Sequence, residues 1–341
     1  MNTLLVRNFK SYFVESRFIS IVVSITVIVL RFLMFLRKGL PDFPINNTNF
    51  SWSYIEPIFQ QYPIASFLSS TLSVFIISYL ISELNIRYGV IRMRTSMPFY
   101  VPLVLFSIHP FFLKMTPDYL GLIFILWSLF PLLSSYQYRY SHRYAFQFGA
   151  LMAIAATFQA YALLFLPLWL IGLSAMGGMS FRSLIASIFG IFLVFWIVFA
   201  LYVFGDNIIG FIDPFKCFTE IYDFTQLPVF SVPQWGFIGT IFLFIFFFII
   251  ADNKQITRER SFTKKVLIFS TSIIIFSILM QVLYLYETLF WIYIATAFLS
   301  IIIAHFYTNT TLKLQILSFF ITLALLTFYY CLNFFTDLSP F

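Results

Sequence analysis

Apolar stretches of bilayer-crossing length recur along this chain, and they constrain its fold more than any other feature. Residues 18–36, 64–82, 181–204 and 233–251 each supply the roughly 20 residues a helix needs to cross a hydrocarbon core of about 30 Å at 1.5 Å per residue. With 61% hydrophobic and 10% charged residues, a soluble domain could not cover its surface. The pattern predicts an all-α fold, a polytopic transmembrane helix bundle.

The placement of charge predicts its orientation. With the N-terminus inside, Arg7, Lys10, Arg17, Arg87, Arg92, Arg94, Arg139, Arg143, Arg182, Lys254, Arg258, Arg260, Lys264, Lys265 and Lys313 all fall on the inner side. These are 15 of the 20 basic residues, as the positive-inside rule requires. Asp42, Glu56, Asp118, Asp206, Asp213, Glu220, Asp223, Glu287 and Asp337 fall outside, against Arg37, Lys38, Lys114 and Lys216. The net charge of +7 is thus the sum of two opposed faces. Basic residues spread over short loops beside apolar spans fit topology and anionic lipid headgroups, so no nucleic acid partner is expected.

Residues 144–178 are nearly unbroken in apolar character, too long for one span and short for two. Arg139 and Arg143 precede this stretch and Arg182 follows it, so both flanks belong on one side. A short-helix hairpin turning near Thr157, Phe158 and Gln159 is expected, sheltered by neighbours because lipid cannot satisfy its helix ends. With spans near 18–36, 64–83, 97–113, 118–135, 182–204, 233–251, 266–284, 287–305 and 314–335, about eleven crossings result, and the C-terminus lies outside. The expected organisation is an N-terminal transmembrane block, 1–251, a basic cytoplasmic loop, 252–265, and a C-terminal three-span block, 266–341. The first apolar stretch runs into Arg37 and Lys38 rather than a small-residue cleavage site, and reads as a retained helix.

Two outer segments, 39–61 and 205–234, are where a site is expected, since ordered loops above a rigid core carry function. In the second, Phe215, Phe218 and Tyr222 lie opposite Lys216, Glu220 and Asp223, the pattern of an interfacial amphipathic helix. Cys217 and Cys331 read as small apolar residues. His109, His142 and His305 are dispersed over both sides, so no metal site is expected of them. The span interiors read as free of buried acids, which speaks against proton-coupled transport.

Leu84-Asn85-Ile86-Arg87, Phe130-Pro131-Leu132-Leu133 and the run from Phe148 to Ala155 leading into Leu166-Pro167-Leu168-Trp169-Leu170 carry a resemblance. Over roughly residues 50–210 the chain resembles an uncharacterised Bacteroidota-type family of polytopic inner-membrane proteins. That implies a bacterial inner (cytoplasmic) membrane and no established activity. The first outer loop and the C-terminal third depart from it.

A more distant resemblance is to GT-C-type glycosyltransferases, which use polyprenyl-phosphate sugars as donors. The order of elements is similar: a first span, an outer loop with Asp42 and Glu56, an outer turn with His109, Lys114 and Asp118, then the short-helix pair. The resemblance implies a catalytic carboxylate, Asp42 or Glu56, acting as base or holding a divalent cation. It also implies a basic group for the donor phosphate, drawn from Arg31, Arg37, Lys38 and Lys114. The first loop is shorter than in those enzymes, and no paired acidic motif is present.

Each residue also has a plainer role. Asp42, between Pro41 and Phe43, suits a turn; Glu56, before Pro57, suits a solvated loop carboxylate; Asp118 suits the first turn of a helix. Arg31 lies inside the first span, where a charge needs a partner, a cavity or a route for its side chain to the interface. Three functions therefore stay open: a lipid-linked-sugar glycosyltransferase, a non-catalytic scaffold of a cell-envelope assembly with protein partners, and a lipid or solute transporter. Membrane lipids, including polyprenyl-phosphate lipids, are the expected ligands.

Overall fold

The computed structural model describes residues 2–41, 49–138, 141–219 and 232–335. Among them the regular structure is entirely helical, in the order α1 (Asn2–Phe9), α2 (Arg17–Lys38), α3 (Trp52–Gln61), α4 (Pro63–Tyr88), α5 (Met97–Leu105), α6 (Pro117–Ser134), α7 (His142–Phe158), α8 (Leu166–Ala175), α9 (Phe181–Phe204), α10 (Ile208–Ile212), α11 (Val232–Ile256), α12 (Ser261–Leu283), α13 (Thr288–Thr308) and α14 (Lys313–Phe335). Eight of these, α2, α4, α6, α9, α11, α12, α13 and α14, are long and apolar enough to cross a membrane.

The other three expected crossings are built from shorter pieces. Residues 97–113 form α5, a break, and a 3-10 turn at Pro110–Leu113. Residues 144–178 form the end-to-end pair α7 and α8, joined by a 3-10 segment at Ala160–Phe165. The turn falls at Gln159, whose backbone is extended (φ −141°, ψ 102°). The hairpin leaves from where it enters: Ser141 donates to the Gly178 carbonyl and meets the Ser183 hydroxyl at 2.7 Å, while the Gln137 amide donates to the Met176 carbonyl.

α13 is the central helix. Every residue from Thr288 to Thr308 except Leu289 is buried, as a helix that is apolar on all sides requires. It packs against α5, α6, α11 and α12, so spans from both expected blocks share one core. By contrast α9 buries only Ser183, Ser187 and Gly190, and α14 only Phe319; their large apolar side chains face outward, as lipid-facing helices do.

The α7–α9 crossing shows how helices associate where lipid is as apolar as leucine. Contact depends on close approach through small residues. A methyl group at Gly149 would press into the Ser187 carbonyl, and one at Gly190 into the Phe146 carbonyl. Ala145, Gly149 and Ala153 recur four residues apart on α7, which packs closely on α9, with Gly149 against Ser187 and Gly190 against Phe146 and Ala150.

The segments grouped by charge gather at common ends. At one end the Ser96 amide donates to the Val14 carbonyl (2.9 Å), Arg92 pairs with Glu259 (3.2 Å) and Thr308 donates to Thr95 (3.2 Å). At the other, the Ser51 amide donates to the Thr157 carbonyl (3.0 Å), and the hydroxyls of Tyr202 and Tyr161 donate to the carbonyls of Phe50 (2.9 Å) and Cys217 (3.3 Å). They are called the basic and acidic ends below.

Candidate functional site

Arg31 is carried into the bundle by α2 and is fully buried. Its Nη1 donates to the Phe106 carbonyl (2.8 Å), and its Nη2 to the Phe112 carbonyl (2.7 Å) and the Ser70 hydroxyl (3.0 Å). Its Nε donates to the Thr71 hydroxyl (3.1 Å). The carbonyls of Phe106 and Phe112 are those the chain orphans by breaking between α5 and the 3-10 turn. Irregular backbone at membrane depth is tolerated only where protein groups satisfy it.

The rest of this broken segment is served in the same way. Ser70 donates to the Leu113 carbonyl (2.6 Å), Tyr119 to Phe112 (2.6 Å) and Tyr293 to Phe111 (3.3 Å). The Met115 amide donates to Ser66 (2.9 Å), and the Phe111 amide to the Nδ1 of His109 (3.2 Å). Side chains from α2, α4, α6 and α13 thus converge on one unwound stretch. Four of the five N–H donors of Arg31 are taken by protein oxygens, so a phosphate would have to displace bonds that the fold itself needs.

The other expected site residues lie nearer the acidic end. Arg37 is exposed, with its guanidinium 4.7 Å from the Phe334 ring and 5.4 Å from Phe335. Lys38 and Lys114 are half-buried. All three flank one small apolar cluster, in which Met34, Phe67 and Leu113 pack with Phe35, Leu40, Tyr330 and Phe334. Glu56 is not on an irregular loop: it sits within α3, is buried at 8% exposure, and accepts from the Gln60 amide (2.9 Å). Asp42 lies outside the described residues, as do Tyr222, Glu220 and Asp223 of the expected interfacial helix. Asp118 is in the first turn of α6, buried, and accepts from the Gln159 side chain at 2.7 Å, which ties α6 to the hairpin turn.

The expectation of acid-free spans is corrected by Asp252. The apolar run read as ending at Ala251 continues as α11 to Ile256, so Asp252 lies inside the helix rather than in the loop. It is fully buried, with both carboxylate oxygens 2.9 Å from the Nδ1 of His305 on α13, itself fully buried. On the other side of the ring, Nε2 lies 2.9 Å from the Asn309 amide nitrogen and 3.7 Å from Glu259. Glu259 in turn meets Arg92, so one polar chain runs from buried carboxylate to surface guanidinium. The pairing links residues 53 apart, and the sequence signal that could have found it is a lone acid and a lone histidine at matching depth near the basic end.

Among the described residues no group of three or more His, Cys, Asp or Glu side chains is arranged to hold a metal ion. No family model matches this chain, and neither a curated protein nor a solved structure is similar to it.

Proposed function

We propose that this is a multi-pass protein of a bacterial inner membrane, with its basic end in the cytoplasm, that transfers a sugar from a polyprenyl-phosphate carrier at the opposite interface. The observation that carries the proposal is the acidic end. A buried carboxylate, Glu56, rides on the helix leading into α4, while Arg37, Lys38 and Lys114 surround the apolar corner formed by α2, α4 and α14. A lipid-linked donor needs an apolar surface for its chain, cations for its phosphate and a carboxylate to take the acceptor proton. Glu56 is assigned the base, with Asp42 on the same outer segment as its alternative.

The test is native mass spectrometry of the purified protein offered polyprenyl-phosphate and phosphatidylglycerol together, followed by a sugar-transfer assay. The expected result is selective retention of the polyprenyl lipid, reduced about tenfold by Lys114→Ala, one lost charge-assisted contact. Glu56→Gln should keep retention and abolish transfer. Retention no better than that of phosphatidylglycerol would overturn the proposal.

A second reading, a non-catalytic subunit of an envelope assembly, is favoured by the way Arg31, Asp118 and Asp252 are all partnered within the chain. Co-purification of a stoichiometric protein partner, with no lipid preference, would favour it. The buried Asp252–His305 pair is what supports the third, a transporter.

A further inference from the structure

At the basic end, α4, α6 and α7 enclose an open cleft of about 570 Å³, far from the acidic-end residues assigned to sugar transfer. Its mouth holds Arg87, in the last turn of α4, and Arg143, in the first turn of α7. Both are exposed, and neither is paired with a carboxylate among the described residues. Behind them stands a polar rung, Gln147 and the hydroxyls of Tyr88 and Ser134, which lie 2.7 Å apart. Deeper still, the wall is apolar, with a half-exposed Trp127 opposite Leu151.

The order is that of a glycerophospholipid seen from its headgroup inward. From Arg143 to Leu151 is two turns of helix, about 12 Å at 1.5 Å per residue, the depth over which a bilayer passes from phosphate to acyl chain. Two unpaired guanidinium groups at that mouth match a phosphodiester, and no carboxylate lines the cleft to neutralise them. Tyr88 and Tyr144, each next in sequence to one of the arginines, are the usual company of an interfacial headgroup.

We propose that this cleft is a binding site for one anionic glycerophospholipid of the basic-side leaflet, with its phosphate between Arg87 and Arg143 and an acyl chain along Trp127. The site is independent of the sugar-transfer proposal, since no residue is shared.

The experiment titrates the purified full chain with phosphatidylglycerol and, separately, phosphatidylcholine, reading bound lipid by native mass spectrometry. Wild type should prefer phosphatidylglycerol, and the double variant Arg87→Gln/Arg143→Gln should lose at least about tenfold in that affinity. Arg94→Gln, a basic residue outside the cleft, should not change it. Gln147→Trp, which fills the cleft and leaves both arginines, should exclude the lipid as well. Brominated phosphatidylglycerol should quench wild-type tryptophan fluorescence more than that of Trp127→Phe. Thermal unfolding of each variant identifies any loss caused by misfolding. Equal binding by wild type and a folded double variant, or equal binding of the two lipids, would overturn the site. Competition by soluble glycerol phosphate at similar concentration would also overturn it, because the acyl chain would then contribute nothing.

Discussion

Arg31 and Asp252 are both fully buried in the bundle, yet Arg31 is held by neutral oxygens and Asp252 by a side chain that can itself carry charge. Two of the oxygens that hold Arg31 are backbone carbonyls, which no substitution can remove. The partner of Asp252 is the His305 ring, which can be exchanged along with it. Removing one member of a buried pair strands the other, whereas replacing both by apolar groups of similar shape is nearly neutral. The two sites therefore differ in whether the polar group is part of the backbone architecture or a substitutable insert.

The largest expected effects follow from that difference. Arg31→Leu should destabilise by about 2–5 kcal/mol, since it orphans the Phe106 carbonyl at roughly 1–3 kcal/mol and takes one partner each from the Phe112 carbonyl and the Ser70 and Thr71 hydroxyls, which keep their other bonds. The measurement is thermal unfolding in detergent with recovery of monomer by gel filtration, and a melting point within a few degrees of wild type would erase the contrast between the two sites. Next, His305→Leu alone should cost about 3–5 kcal/mol by leaving a carboxylate buried and unpaired. The double variant Asp252→Leu/His305→Leu should recover most of that loss. Failure to recover would mean that this pair, too, is built into the architecture.

Smaller effects come from packing and from the surface. Gly149→Ala or Gly190→Ala should cost about 1–3 kcal/mol, because each added methyl group meets a facing carbonyl and the helices must separate. Ser187→Gly in the same background should not rescue Gly149→Ala, as the clash is with backbone. Arg92→Ala should be the mildest, about 0–1 kcal/mol, because the Arg92 side chain is 44% exposed where it meets Glu259. A loss above about 2 kcal/mol there would show that the polar chain from Asp252 to Arg92 acts as one unit.

Much of the fold was legible because it is written in length and charge. The eight long helices lie where the apolar runs do, and the turn at Gln159 follows from basic residues on both flanks of 144–178. The break after Leu105 was not legible. Residues 97–113 are mostly apolar and read as one span; Ser107, His109 and Pro110 interrupt the run without saying how the freed carbonyls are met, which the long-range hydrogen bonds of Arg31, Ser70, Tyr119 and Tyr293 do. Arg31 stood out in the sequence as an intramembrane charge, but its partners are carbonyls 75 and 81 residues away, which carry no sequence signal at all. Glu56 was read as a loop carboxylate because Pro57 follows it, although proline is accommodated within α3. Asp252 was misread for a simpler reason: Asp-Asn-Lys after an apolar run resembles a loop, and α11 extends through it.

The central position of α13 sets the order in which the bundle can be finished during synthesis. Its residues, 288–308, leave the ribosome only after α5, α6, α11 and α12, which supply most of its surroundings, have been made; α14, which meets it at Tyr307, follows. Until then those helices surround an unfilled slot, and Tyr119 and the broken stretch before it lack their partner Tyr293. A chain interrupted before residue 288 would therefore hold most of its spans yet lack a core, and would be a ready target for membrane quality control.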